Sequence, residues 1–98
     1  MKIKLVRDRV AQIDGETIAE IGMKPVRHAL LIMKLHEEVE EIADRAYDPI
    51  EYADVLEALE ELASVNGVSM EEIQKAKENK RLIKGGFTKG RVVIREGA

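Results

Sequence analysis

The stretch KLHEEVEEIADRAYDPIEYADVLEAL, residues 34–59, decides the fold of this chain. Leu31, Leu35, Val39 and Ile42 recur at three- and four-residue steps, the period of one helix face. With Pro25 suited to a first helical turn, they predict a helix from there to about Tyr47. Asp48-Pro49 then restarts the chain as an N-cap followed by proline at the first helical position. Tyr52, Val55, Leu56, Leu59 and Ala63 supply the apolar face of a second helix, which Asn66-Gly67 ends. Two helices joined by so short a turn are expected to pack side by side, with axes about 8–10 Å apart.

The same stretch is rich in acid. Glu41 lies one helical turn beyond both Glu37 and Glu38, and Glu38 and Glu41 flank the apolar stripe of the first helix. Glu51 and Asp54, one turn apart, border the apolar face of the second. Carboxylates reaching across such a helix pair suit Mg²⁺, which takes a few carboxylate oxygens and leaves positions for water and phosphate. Without a cation, carboxylates held about 4 Å apart repel by about 4 kcal/mol per pair at an effective dielectric of about 20. The chain holds 14 glutamates among 98 residues, however, and Glu57, Glu60 and Glu61 show that EE pairs also arise as solvated faces. Glu51, three residues after Asp48, also fits a capping box. Asp54 has no such local role, and aspartate is a poor helix former beyond the first turn. The residues alone leave a metal site and an acidic surface both open.

Outside this stretch, Ser69 with Glu72 three residues later forms a capping box for a third helix. Its Ile73, Ala76 and the Lys80 stem are expected to face inward, and Gly85-Gly86 to break it. Residues 2–6 alternate charged and apolar side chains, and residues 91–94 read as a short strand. The two are expected to pair as a small terminal β-ribbon packed on the helices. Residues 7–13 read as a helical turn ended by Asp14-Gly15, and residues 17–21 as another closed by Gly22 in the left-handed conformation. The expected fold class is therefore all-α, an antiparallel helical bundle with a small terminal β-ribbon.

Composition narrows the function. A chain of 98 residues is expected to form one domain, residues 1–98, since a second core would leave each half too small to offset chain entropy. Hydrophobic residues make up 45% but aromatics only 3%, so the core has few large anchors and self-association is expected to add stability. A net charge of −3 argues against binding a nucleic acid polymer, whose phosphates call for a surplus of Lys and Arg. The absence of cysteine excludes disulfides, thiolate catalysis and cysteine-type zinc sites. No apolar run is long enough for a signal peptide or a membrane span, so a cytoplasmic location without membrane contact is expected.

In order along the chain, KLVRD at residues 4–8, KLHEEVEEI at 34–42, EYADVLEAL at 51–59, and GGF at 85–87 before RVVI resemble the MazG-like all-α NTP pyrophosphatase superfamily. The match is to its phosphoribosyl-ATP pyrophosphohydrolase-like branch. The resemblance spans nearly the whole chain. It implies an α-helical protein acting as a homodimer or higher homo-oligomer, and Mg²⁺-dependent hydrolysis of a nucleotide between its α- and β-phosphates, with Mn²⁺ as a substitute ion. Carried residue by residue, it implies Glu38, Glu41, Glu51 and Asp54 as metal ligands, with Glu37 and Glu38 as catalytic residues and Glu37 at a ligand or water-orienting position. Only nine residues separate Glu41 from Glu51, fewer than in the best-known members of the superfamily, so the helices must turn tightly. Residues 12–24 match none of its motifs.

A triphosphate also calls for positive charge, and the superfamily's use of downstream basic residues points to Lys34, Lys77, Lys80, Arg81, Lys84 and Arg91. Lys77 and Arg81 share a helical face that Lys84 extends, so these three with Lys34 are the preferred phosphate contacts, and Lys4 and Arg7 rank after them. His28 and His36 are too far apart to share an ion, and HEEVE lacks the spacing of zinc proteases. The glycine pair fits a plain turn better than a phosphate cradle. The expected protein is a nucleotide pyrophosphohydrolase, and a hydrolase for phosphoribosyl-ATP itself is the alternative within enzymes. A noncatalytic helical interaction module with an acidic face is the rival from another class.

Overall fold

A computed structural model of the chain describes residues 3–12 and 14–97. Among them are three helices: α1 over Lys24–Asp44, α2 over Pro49–Val65 and α3 over Met70–Lys84. Each boundary has a local cause. Pro25 sits in the first turn of α1, whose N-cap Met23 offers no side-chain acceptor, and the Arg45 N–H closes the other end on the Glu41 carbonyl. Helix α1 thus stops three residues short of the expected Tyr47. The Asp48 side chain accepts from the Ile50 N–H at 2.9 Å and starts α2, and Gly67, at φ 71°, follows its end. Ser69 and Glu72 form the full capping box of α3, and Gly85, at φ 80°, ends it.

Helices α1 and α2 form an antiparallel pair. The Arg27 guanidinium meets Glu61 at 2.7 Å and His28 Nδ1 lies 3.0 Å from Asn66 at the open end, while Glu38 meets Glu51 and Asp54 near the turn. The four-residue connection is braced by the Tyr52 hydroxyl, which donates to the Ala46 carbonyl at 2.9 Å. The core between them is small: Leu31 and Ala58 are the only fully buried apolar residues among those described, ringed by half-buried Leu30, Leu35, Val55 and Leu62.

Several expected faces are turned differently. Val39 is 54% exposed and lies off the α1 stripe. On α2 the contact face runs through Glu51, Asp54, Val55, Ala58 and Leu62, so Tyr52, Leu56 and Leu59 form a second stripe that stays exposed among the described residues. On α3 only Ile73 is half-buried, Ala76 and Lys80 are exposed, and no residue is fully buried. The radius of gyration, 17.3 Å, exceeds the roughly 13 Å of a compact chain of this length.

Among the described residues no terminal ribbon is formed, since neither residues 3–6 nor 91–94 belong to a strand; Lys2, its first expected residue, lies outside them. Val92, Val93 and Ile94 are at least 79% exposed, and a two-stranded ribbon with no helix surface beneath it lacks the burial that holds strands together. The expected helical turn over residues 7–13 is reduced to one tight turn in which the Val10 N–H donates to the Arg7 carbonyl, and Ile13 lies outside the described residues. Residues 17–21 form no helical turn, and Gly22 does not adopt a positive φ. No helix among the described residues is long and apolar enough to cross a membrane.

Candidate metal centre

The α1–α2 contact face carries acid at the end nearer the turn. Glu38 from α1 and Glu51 from α2 are both buried, at 8% and 7% exposure, beside half-buried Asp54. One carboxylate oxygen from each lies within 4.8 Å of the other two. Charged side chains are seldom so buried unless paired or bound to a metal. Glu51 does not make the capping box open to it, because the Asp48 N–H donates to the Arg45 carbonyl instead. Its carboxylate is thereby left to the cluster.

The other two sequence candidates flank the three. Glu41 is exposed and outside the 4.8 Å group, yet near enough for its charge to act on Glu51. Glu37, also outside that group, is held by Lys4 at 2.9 Å and Lys34 at 3.6 Å.

Basic side chains ring the cluster. Lys34, one turn before Glu38 on the same helix, meets it at 3.1 Å, and Arg45 from the turn stands 3.8 Å from Glu51. Arg7, from the irregular N-terminal segment, reaches Asp54 at 2.6 Å. Arg45 was not among the sequence candidates; its place in the short turn between the two acidic helices is the one signal that could have found it. Lys77, Arg81 and Lys84, on exposed α3, pair with none of these carboxylates among the described residues. Lys80 and Arg91 are exposed as well. The Gly85 N–H donates to the Arg81 carbonyl, so it serves the helix end.

The electrostatics follow from this layout. Burial pushes the Glu51 carboxyl above its usual range, the charges of Glu41, Asp48 and Asp54 add to that, and Arg45 opposes it. The hydrogen bond from Lys4 holds Glu37 below the usual range against partial desolvation, with help from Lys34. The donor set fits a hard divalent cation: three carboxylates from two helices, no histidine or sulfur, and one member whose ionised form is disfavoured until positive charge arrives. The chain matches no protein-family model, no curated protein and no solved structure.

Proposed function

We propose that this protein is a Mg²⁺-dependent nucleotide pyrophosphohydrolase of the MazG-like kind, cleaving a nucleoside triphosphate to a monophosphate and pyrophosphate. Nucleotide-pool cleansing is the role that goes with it. The observation that carries the reading is the convergence of Glu38, Glu51 and Asp54, two of them buried, from two helices whose sequences resemble that superfamily. These three would hold the ion, with Glu41 beside them. Bound Mg²⁺ supplies positive charge that neutralises the polyphosphate and acidifies water for attack.

The chain's own residues supply the rest. Glu37 and Glu38 orient a water, and Glu37 takes its proton as the water oxygen bonds to phosphorus and the bridging oxygen leaves with pyrophosphate. Lys34, half-buried between Glu37 and Glu38, fixes both carboxylates. Self-association belongs to the same proposal. The uncovered stripe of Tyr52, Leu56 and Leu59 and the exposed Leu82, Ile83 and Phe87 leave a single copy with too little buried apolar surface.

One observation favours a second reading, a noncatalytic helical interaction module. Lys34, Arg45 and Arg7 each pair with one cluster carboxylate, so the acidic face has counter-charges without a metal. Pyrophosphate release decides between the two. With Mg²⁺ and a panel of common and modified nucleoside triphosphates plus phosphoribosyl-ATP, release that is lost in folded Glu38→Gln and Asp54→Asn variants supports the hydrolase. Absence of both turnover and metal binding leaves the module.

A further inference from the structure

Of the preferred phosphate contacts only Lys34 lies at the carboxylates; Lys77, Arg81 and Lys84 are on α3, and the other basic groups at the cluster include the lower-ranked Arg7, with Lys4 beside Glu37. The segment before α1 has no helix or strand, yet it is fastened to the helix pair at two points. Lys4 Nζ lies 2.9 Å from Glu37 Oε1, and Arg7 Nη2 lies 2.6 Å from Asp54 Oδ1. Between them half-buried Leu5 helps to line a cleft of about 330 Å³ with Leu30 and Met33 of α1, and Lys34 and Glu37 also border it. Lys4 and Arg7 remain more than half exposed at their side chains, 62% and 57%, so a ligand from solvent can reach both.

We infer that residues 3–12 form a phosphate-binding strap, in which Lys4 and Arg7, held by Glu37 and Asp54 in the free protein, transfer to the polyphosphate of a metal-bound ligand. This rests on the metal reading of Glu38, Glu51 and Asp54. The physical basis is an exchange of partners. A divalent cation among the carboxylates weakens their hold on a guanidinium, and a polyphosphate brings oxygens to which Arg bonds in a bidentate fork and Lys as a point charge. Leu5 keeps its apolar contact on α1, so the two side chains change partners while the segment stays in place. Arg7 therefore serves the carboxylates in one state and the ligand in the other.

The test is titration calorimetry with Mg²⁺ alone, then with tripolyphosphate in saturating Mg²⁺, on wild type, Lys4→Ala, Arg7→Ala, Arg7→Lys and, as a control, the exposed Lys89→Ala. Helix content by circular dichroism verifies that each variant folds. Lys4→Ala and Arg7→Ala are expected to weaken tripolyphosphate binding by about tenfold or more, the loss of a charge-assisted hydrogen bond. Arg7→Lys should fall between Arg7→Ala and wild type, and Lys89→Ala should match wild type. Arg7→Ala should bind Mg²⁺ alone at least as tightly as wild type, because Asp54 loses its competing cation. Wild-type tripolyphosphate affinity in Arg7→Ala and Lys4→Ala, with Mg²⁺ binding intact, overturns the strap and leaves the metal reading standing. Failure of the wild type to bind Mg²⁺ at all removes both.

Discussion

The Arg7 guanidinium stands 2.6 Å from the Asp54 carboxylate although 47 positions separate them in the chain. This contact ties an N-terminal segment without helix or strand to the α1–α2 pair, and it does so at the acidic cluster. Its energy in the free protein is expected to be small, because both side chains keep contact with water, 57% and 29% exposed. Arg7→Ala should lower stability in urea by less than about 1 kcal/mol. A loss several times larger would mean that the segment is part of the core.

Divalent cation should stabilise the fold. At a free Mg²⁺ concentration 100-fold above the dissociation constant, linkage adds about 2.7 kcal/mol to unfolding, and a chain of this size shifts its Tm by about 4–8 °C per kcal/mol. Thermal melts in Mg²⁺ and in EDTA should therefore differ clearly for wild type and coincide for Glu51→Gln. Identical wild-type melts would count against the metal centre.

Acidity should act on the metal-free protein in two opposed ways. Burial and neighbouring acids raise the Glu51 carboxyl, so its contribution to stability is full below the unfolded carboxyl value and is lost as pH rises through its folded one. The Lys4 hydrogen bond lowers Glu37, so its contribution is present above the unfolded value and is lost as pH falls through its folded one. Urea midpoints in EDTA should rise as pH drops from neutral toward the Glu51 value, then fall below about pH 4. Glu51→Gln should flatten the first limb only. A wild-type midpoint that declines steadily from pH 7 would contradict the assignment of Glu51.

Ser69→Ala should act locally. Removal of an N-cap side chain costs about 1 kcal/mol, but α3 has no buried residue through which to pass that loss to the α1–α2 pair. Hydrogen exchange should speed up in the first turns of α3 while the urea midpoint of the helix pair stays in place. An equal loss across all three helices would show that α3 is coupled to the core.

Helix limits were legible because they are settled over a few residues. Asp48-Pro49, Asn66-Gly67, the Ser69–Glu72 box and Gly85 bond or bend their own backbone, and the structure uses each of them at a helix end. The acidic cluster was partly legible for the same reason, since the helical period places Glu38, Glu51 and Asp54 at the border of an apolar face. What the period left open is which border turns inward. Glu38, Glu51 and Asp54 went in and Glu41 stayed exposed, a matter of rotation about the α1 and α2 axes that only their packing decides.

By itself, then, the sequence determined three helices, their ends except that of α1, and a supply of carboxylates along two of them, all through contacts a few residues long. Tertiary structure alone decided that Arg7 rather than Arg81 meets the carboxylates, that Tyr52, Leu56 and Leu59 remain uncovered, and that residues 91–94 pair with nothing among the described residues. The reason is that an amphipathic pattern states which face shuns water, whereas the surface that covers it comes from distant chain, whose placement depends on loop paths and packing.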